Sequence, residues 1–230
     1  MIGVYDYTVI LTYLSMISGT VGMIITMTGI GHPYFGILFL MISGLLDGLD
    51  GTVARTKKNR TELEKNFGVQ IDSFSDLICF GVLPATIGIA QLRVSGRFTE
   101  VFRHRDNYEN FWAIVLMISI AVFYILMALI RLAYFNVTVE KRNEEAEAYG
   151  GQFFYGLPVT TASLVFPLAL IINYFVKADL TVMYFCLMFL IAILFVGDFK
   201  IPKFGKKGLI LLIIIGLMEM MATIFIFTCG

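Results

Sequence analysis

Four aspartates, Asp47, Asp50, Asp72 and Asp76, fall in one short stretch of a chain that is otherwise mostly apolar. Asp47 and Asp50 stand three residues apart, Asp72 and Asp76 four apart. On helices both spacings bring the two side chains of a pair to one face, about one turn from each other. Ionised carboxylates at the edge of a bilayer are costly, and four together repel. They need a positive partner, and oxygen-only ligands suit one or two Mg²⁺ or Mn²⁺ ions. Gly48, Gly51 and Ala54 remove side-chain bulk beside the first pair. In a helix each glycine gives up as much as about 1 kcal/mol relative to alanine, which makes sense if a bulky ligand approaches the backbone. Gly68 precedes Asp72 by one turn, as Asp72 precedes Asp76. Arg55, always charged, suits a phosphate or pyrophosphate in the same cleft. Two facing helices with two carboxylates each can hold a binuclear centre that clamps phosphate oxygens and steadies the entering and leaving oxygens of a displacement. Solvated surface acids would account for one such aspartate, but not for four at helical spacing among glycines.

The elements that must position these groups are membrane spans. The 230 residues are 58% hydrophobic and 15% charged, with a mean hydropathy of +0.84. Soluble domains sit nearer 45–50% apolar, roughly. Crossing the hydrocarbon takes about 20 apolar residues, and seven runs qualify: 8–30, 34–56, 68–92, 111–137, 157–176, 179–197 and 208–228. Only helices satisfy their own backbone groups in lipid with this pattern. The expectation is therefore an all-α, polytopic integral membrane helical bundle, a single domain over 1–230 with its catalytic motif at 47–76. A net charge of zero gives no reason to expect nucleic acid as a partner. Cys79, Cys186 and Cys229 all lie in apolar runs and suggest no disulfide framework, and the first apolar run reads as a retained span.

Basic residues orient the bundle. With the N-terminus in the cytoplasm, eleven Lys and Arg fall in inside loops and five in outside loops, which places the four aspartates at the cytoplasmic face of a cytoplasmic (inner) membrane. The loop over 93–110 is expected to lie along the headgroups as an interfacial helix, with Tyr108 and Trp112 at the boundary. Ser15, Ser18, Gly19, Gly22 and Thr26 make the first span a close-packing helix. His32 and His104 read as solvated loop residues. Glu219, alone in the last span, is expected to hydrogen-bond between helices.

The run D-x-x-D-G-x-x-A-R followed by G-x-x-x-D-x-x-x-D is met by Asp47, Asp50, Gly51, Ala54, Arg55, Gly68, Asp72 and Asp76. It resembles the signature of the CDP-alcohol phosphotransferase family. Twelve residues separate Arg55 from Gly68, where that family more often has about eight; the extra four amount to about one helical turn, ~6 Å. FGVQIDSFSDLICFGVLPA, IRLAYFNV at 130–137 and FYGLPV at 154–159 resemble the family's phosphatidylserine synthase branch, with Cys79 where a serine is usual and Tyr134 in place of a second arginine. The resemblance implies a six-helix core with one or more additional C-terminal spans, and a homodimer. It implies two divalent ions on Asp47, Asp50, Asp72 and Asp76, with Asp76 doubling as general base. It also implies a CDP site of Asp50, Gly51, Ala54, Arg55 and Gly68. The implied reaction moves a phosphatidyl group from CDP-diacylglycerol to the hydroxyl of L-serine and releases CMP.

The residues themselves say less about the acceptor. A buried guanidinium usually has an anionic partner, and for Arg131 this is a serine carboxylate, the donor's phosphate or a structural acid. Asn136 offers both a donor and an acceptor for serine's ammonium or carboxylate. Other members of the family use inositol phosphate or glycerol phosphate, or, for archaetidylserine synthesis, an archaeal ether-lipid donor. From another class, a cation transporter would place its carboxylates near mid-membrane and would explain neither the glycines nor Arg55.

Overall fold

A computed structural model describes residues 3–29, 32–96, 98, 111–139, 153–176, 179, 181–202 and 206–229. Asp6 caps a short 3₁₀ turn, Tyr7–Val9, by accepting the Tyr7 N–H at 2.8 Å. The turn leads into α1 (Ile10–Thr28), which ends where Gly29 takes a left-handed φ of +69°, a conformation open to glycine at no steric cost. After α2 (Phe35–Ala54), α3 (Glu62–Asp76) opens on a capping box in which Thr61 and Glu64 each take the other's backbone N–H. A π-helical turn, Leu77–Val82, carries α3 into α4 (Leu83–Val94) as one rod from Glu62 to Val94. Next come α5 (Phe111–Val137), strand β1 (Phe153–Tyr155), a 3₁₀ turn (Val159–Thr161) and α6 (Ala162–Val176). The chain closes with α7 (Thr181–Val196), strand β2 (Lys200–Pro202) and α8 (Lys206–Cys229).

The chain is an integral membrane protein built as a helical bundle. Among the described residues, five helices are long and apolar enough to cross a bilayer: Tyr7–Thr28, Phe35–Ala54, Glu62–Val94, Phe111–Val137 and Ile210–Thr228. The other two expected spans are shorter apolar helices, Val159–Ile172 and Thr181–Val196. The third span begins at Glu62, ahead of the expected 68, because the capping box starts the helix in its polar stretch. Between α7 and α8, β2 pairs antiparallel with β1, Phe154 opposite Ile201. Of the interfacial helix expected over 93–110, residues 93 and 94 instead end α4 and Ser95 caps it, while 97 and 99–110, including His104 and Tyr108, lie outside the described residues.

The π turn has a local cause. Pro84 lacks an N–H, and its ring crowds the carbonyl four residues earlier, that of Phe80. Widening the preceding turn, with Leu83 N–H bonded five residues back to Ile78, makes room for the ring. The orphaned Phe80 carbonyl accepts the Tyr124 hydroxyl of α5 at 2.6 Å, in the buried core.

The small-residue face of α1 packs closely on α2, as expected. Ser15 donates to the Ser43 carbonyl at 3.2 Å, Ser43 returns a bond to the Ser15 carbonyl at 3.0 Å, and Ser18 donates to Phe39 O at 3.0 Å. A β-carbon at Gly22 would stand 2.7 Å from the Phe39 β-carbon, so only glycine permits this approach. Across the bundle α5 packs on α7 and α8 lies on α6 and α2. The core between them is aromatic, with Phe195, Tyr124, Phe166 and Tyr184 linked in that order by ring contacts. Glu219 of α8 does not make the expected bond through Oε2, which is buried without a partner. Cys79 is buried and Cys186 exposed, both as free thiols.

Candidate active site

The last turns of α2 and the last turns of α3 face each other, and each presents its acidic pair. Carboxylate oxygens of Asp47, Asp50 and Asp72 all lie within 4.8 Å of one another. Across the gap Asp50 is within hydrogen-bonding reach of Asp72, and Asp47 of Asp76. Asp76 is the most enclosed of the four, 9% exposed. It stands beside Asp47 and outside the three-acid cluster. Asp72 Oδ1 is buried and meets no donor at all. Acids this close, with an oxygen left unpaired, fit a hard divalent cation held by carboxylates alone.

The surroundings match a ligand close to the backbone. A β-carbon at Gly48 would meet nothing within 4 Å, and one at Gly51 only Arg55 Nη1, at 3.6 Å. Ala54 closes α2, and Arg55, exposed, points its Nη2 toward Thr52 Oγ1 at 3.4 Å. On α3 the space beside Gly68 holds the guanidinium of Arg60, Nη2 lying 2.8 Å from where a β-carbon would be.

Arg131 and Asn136 come from the same end of α5 but do different things. Arg131 is buried; its Nε donates to the Leu157 carbonyl at 2.5 Å, and its guanidinium lies 5.8 Å from the Phe135 ring centroid. Leu157 belongs to a turn in which Gly156 holds φ +67° and donates to Phe199 O at 2.9 Å. A β-carbon at Gly156 would sit 2.6 Å from the Phe195 carbonyl, which explains the glycine of this motif. Asn136 Nδ2 donates to Ser73 Oγ at 2.9 Å and so reaches α3 beside Asp72.

Other residues reach the acids without having been singled out in the sequence. Thr12 of α1 donates to Asp50 Oδ2 at 3.0 Å, and the Thr12 carbonyl accepts the Ser75 hydroxyl at 3.3 Å. Beneath them Cys79 Sγ donates to the Ser15 carbonyl at 3.2 Å, with Ser15 and Ser75 hydroxyls alongside. The signal was present: Thr12 extends the small and hydroxylated stripe of α1 by one turn below Ser15. Lys57 Nζ, in the α2–α3 connection, bridges Asp6 Oδ2 and Glu64 Oε1, 2.8 Å from each, tying the N-terminal segment to the first turn of α3. The ammonium holds the Asp6 carboxyl below its ordinary range, and the two carboxylates raise the pKa of Lys57.

A membrane bundle in which two neighbouring helices bring paired carboxylates together, with open space beside Gly48 and Gly51, could hold a divalent metal ion. The chain belongs to the CDP-alcohol phosphatidyltransferase family, whose model matches residues 8–228. It is 32% identical over 166 residues to a CDP-diacylglycerol–serine O-phosphatidyltransferase of Saccharomyces cerevisiae, covering 68% of this chain and 52% of that one. A protein of the same description from Methanocaldococcus jannaschii is 28% identical over 208 residues, 90% of this chain and 77% of its own. An archaetidylserine synthase of Methanothermobacter thermautotrophicus is 25% identical over 196 residues, 85% and 70% of the two chains. The chain spans about half the length of the yeast protein it matches.

Proposed function

We propose that this chain transfers the phosphatidyl group of CDP-diacylglycerol to the hydroxyl of L-serine, releasing CMP and forming phosphatidylserine at the cytoplasmic face of the cytoplasmic membrane. The observation that carries the reading is the opposition of the two acidic pairs beside glycines with open space. Asp47, Asp50, Asp72 and Asp76 would hold two Mg²⁺ or Mn²⁺ ions, which when bound neutralise charge on the pyrophosphate. Gly51 and Ala54 leave room for the CDP moiety beside Asp50, Gly68 lies on the α3 side of the same site with the Arg60 guanidinium against it, and Arg55 contributes permanent charge to the phosphates. Asp76, enclosed beside Asp47, takes the proton from serine's hydroxyl as that oxygen attacks the β-phosphorus. The bond from this phosphorus to the bridging oxygen breaks, and CMP leaves with the electron pair. Asn136, anchored to Ser73, stands where it can orient the amino acid, and Arg131 fixes the turn behind it and adds positive charge for the acceptor's carboxylate or the lipid phosphate. A homodimer accompanies the reading on the family's resemblance alone.

Acids in the last turns of α2, not halfway along it, favour this chemistry over cation transport. The names of the yeast and Methanocaldococcus relatives favour serine as acceptor; the archaetidylserine synthase keeps an ether-lipid donor in view. The deciding experiment is a panel on purified protein in detergent, with CMP release as readout. Diacyl and archaeal ether CDP-lipids are each combined with serine, inositol, inositol phosphate or glycerol phosphate, with and without Mn²⁺ or Mg²⁺. CMP release that depends on serine, a diacyl donor and divalent metal is expected. Release driven instead by inositol phosphate or glycerol phosphate would overturn the acceptor, and release confined to the ether lipid would overturn the donor.

A further inference from the structure

We propose that Arg60, which no position of the eight-residue family pattern includes, holds an oxyanion of the substrates on the α3 side of the acid cluster. The inference rests on the transferase reading above and adds a residue to it. Arg60 lies in the segment that makes the Arg55-to-Gly68 interval four residues longer than the usual spacing. Its side chain turns back over α3 and lies against Gly68, where a β-carbon would be 2.8 Å from Nη2. Gly68 and Asp72 share a helix face one turn apart, so the guanidinium sits over the bare strip leading to the carboxylates.

Two buried atoms near this strip are left unsatisfied. Arg60 Nε is removed from solvent and has no hydrogen-bond partner, and Asp72 Oδ1 has no donor. Arg60 and Asp72 do not satisfy one another: among the described residues the ion pairs are those of Lys57. Among the described residues the Arg60 guanidinium makes one hydrogen bond, a long one, from Nη2 to the Glu64 carbonyl at 3.3 Å. A guanidinium cannot shed its charge to lower the penalty of burial, and its planar fork matches phosphate and carboxylate oxygens. The arrangement repeats on the opposite helix, where Arg55 lies over Gly51 at 3.6 Å. Each half of the motif thus has a glycine with a guanidinium against it, and the acids lie between. The neighbours of Arg60 are held in place by the Thr61–Glu64 capping box and by Lys57 on Glu64. The ligand chemistry is a phosphate oxygen of the CDP-linked donor or the carboxylate of the acceptor.

The test compares wild type, Arg60→Gln and Arg60→Lys as purified full chains in detergent with Mn²⁺. It reads the Kd for CDP by calorimetry and the KM for CDP-diacylglycerol and for serine. Loss of a charge-assisted hydrogen bond raises the affected constant about tenfold or more. In Arg60→Gln a raised Kd for CDP assigns the donor phosphate, and a raised serine KM with unchanged CDP binding assigns the acceptor carboxylate. Arg60→Lys, which keeps the charge but not the fork, falls between the two. Constants within twofold of wild type in Arg60→Gln overturn the proposal, as does a fall in kcat alone. If Arg60→Gln does not fold, unchanged constants in Arg60→Lys overturn it equally. Wild type that binds CDP and turns over while both variants match it sinks only Arg60; wild type that neither binds CDP nor releases CMP sinks the transferase reading and Arg60 with it.

Discussion

Asp76 and Thr12 carry the two sharpest single-residue expectations. If Asp76 accepts the serine proton, Asp76→Asn lowers kcat by about a hundredfold or more, the usual contribution of a positioned base. Binding of CDP-diacylglycerol, measured separately, is largely retained. Wild-type-like turnover in that variant would remove the base from Asp76. Thr12→Val deletes the one side-chain hydroxyl seen on Asp50. Removing an outer-shell partner of a metal ligand typically weakens metal binding about tenfold, so half-maximal activity should need correspondingly more Mn²⁺, with Thr12→Ser close to wild type. An unchanged metal requirement in Thr12→Val would show that Asp50 needs no such support. The four aspartates were legible in the sequence because their pairing depends on spacings of three and four along single helices. Thr12 was legible only as one more member of the hydroxylated stripe of α1; that it meets Asp50, across 38 positions of chain, was not. Arg131 was legible as a buried charge, but the Leu157 carbonyl that it meets comes from a turn that no periodicity predicts.

Among the helices, the α3–α4 rod is the one whose local chemistry reads through most clearly. Its start was written in the sequence as Thr61-x-x-Glu64, a capping signature that hydropathy alone passes over. Its π turn follows from Pro84, and Tyr124 completes it from another helix. Tyr124→Phe leaves the Phe80 carbonyl buried and unpaired, which costs about 1–3 kcal/mol and should lower the midpoint of thermal unfolding. In a Pro84→Ala background alanine's N–H can take that carbonyl, so the added loss from Tyr124→Phe should shrink. Equal losses in both backgrounds would mean that the hydroxyl is not compensating for the proline. The β1–β2 ribbon was not legible, since each strand is only three residues long and its partner lies more than forty positions away. Such pairing is set by the helices that bring the segments together, not by strand propensity.

For the molecule as a whole, each of the seven expected apolar runs is a helix among the described residues, five of them long enough to cross a bilayer and two shorter. Hydropathy reports which stretches avoid water, while α6 and α7 also depend on where ribbon and turn end them. The docking of the N-terminal segment through Asp6 and Lys57 makes a pH prediction. Asp6 is held below its ordinary value of 3.8 by Lys57. The contact therefore contributes fully above pH 3.8 and is lost as pH falls through the lower folded value. Hydrogen exchange of residues 3–9 should be flat from pH 7 to 5, after correction for intrinsic rates. Asp6→Asn should raise it across that range, and equal protection in the variant would show that the bridge does not hold the segment. The shortness of α7 has one more result. Its sixteen residues rise about 24 Å, less than the ~30 Å of hydrocarbon, and where it stops the chain doubles back toward the wall of α5 that reaches Ser73. A span that short is accommodated by a locally thinner bilayer, by snorkelling flanking residues or by association with other helices. For the CDP-lipid donor proposed above, a thinner bilayer on that side would bring the diphosphate toward the acids while its tails stay in their leaflet.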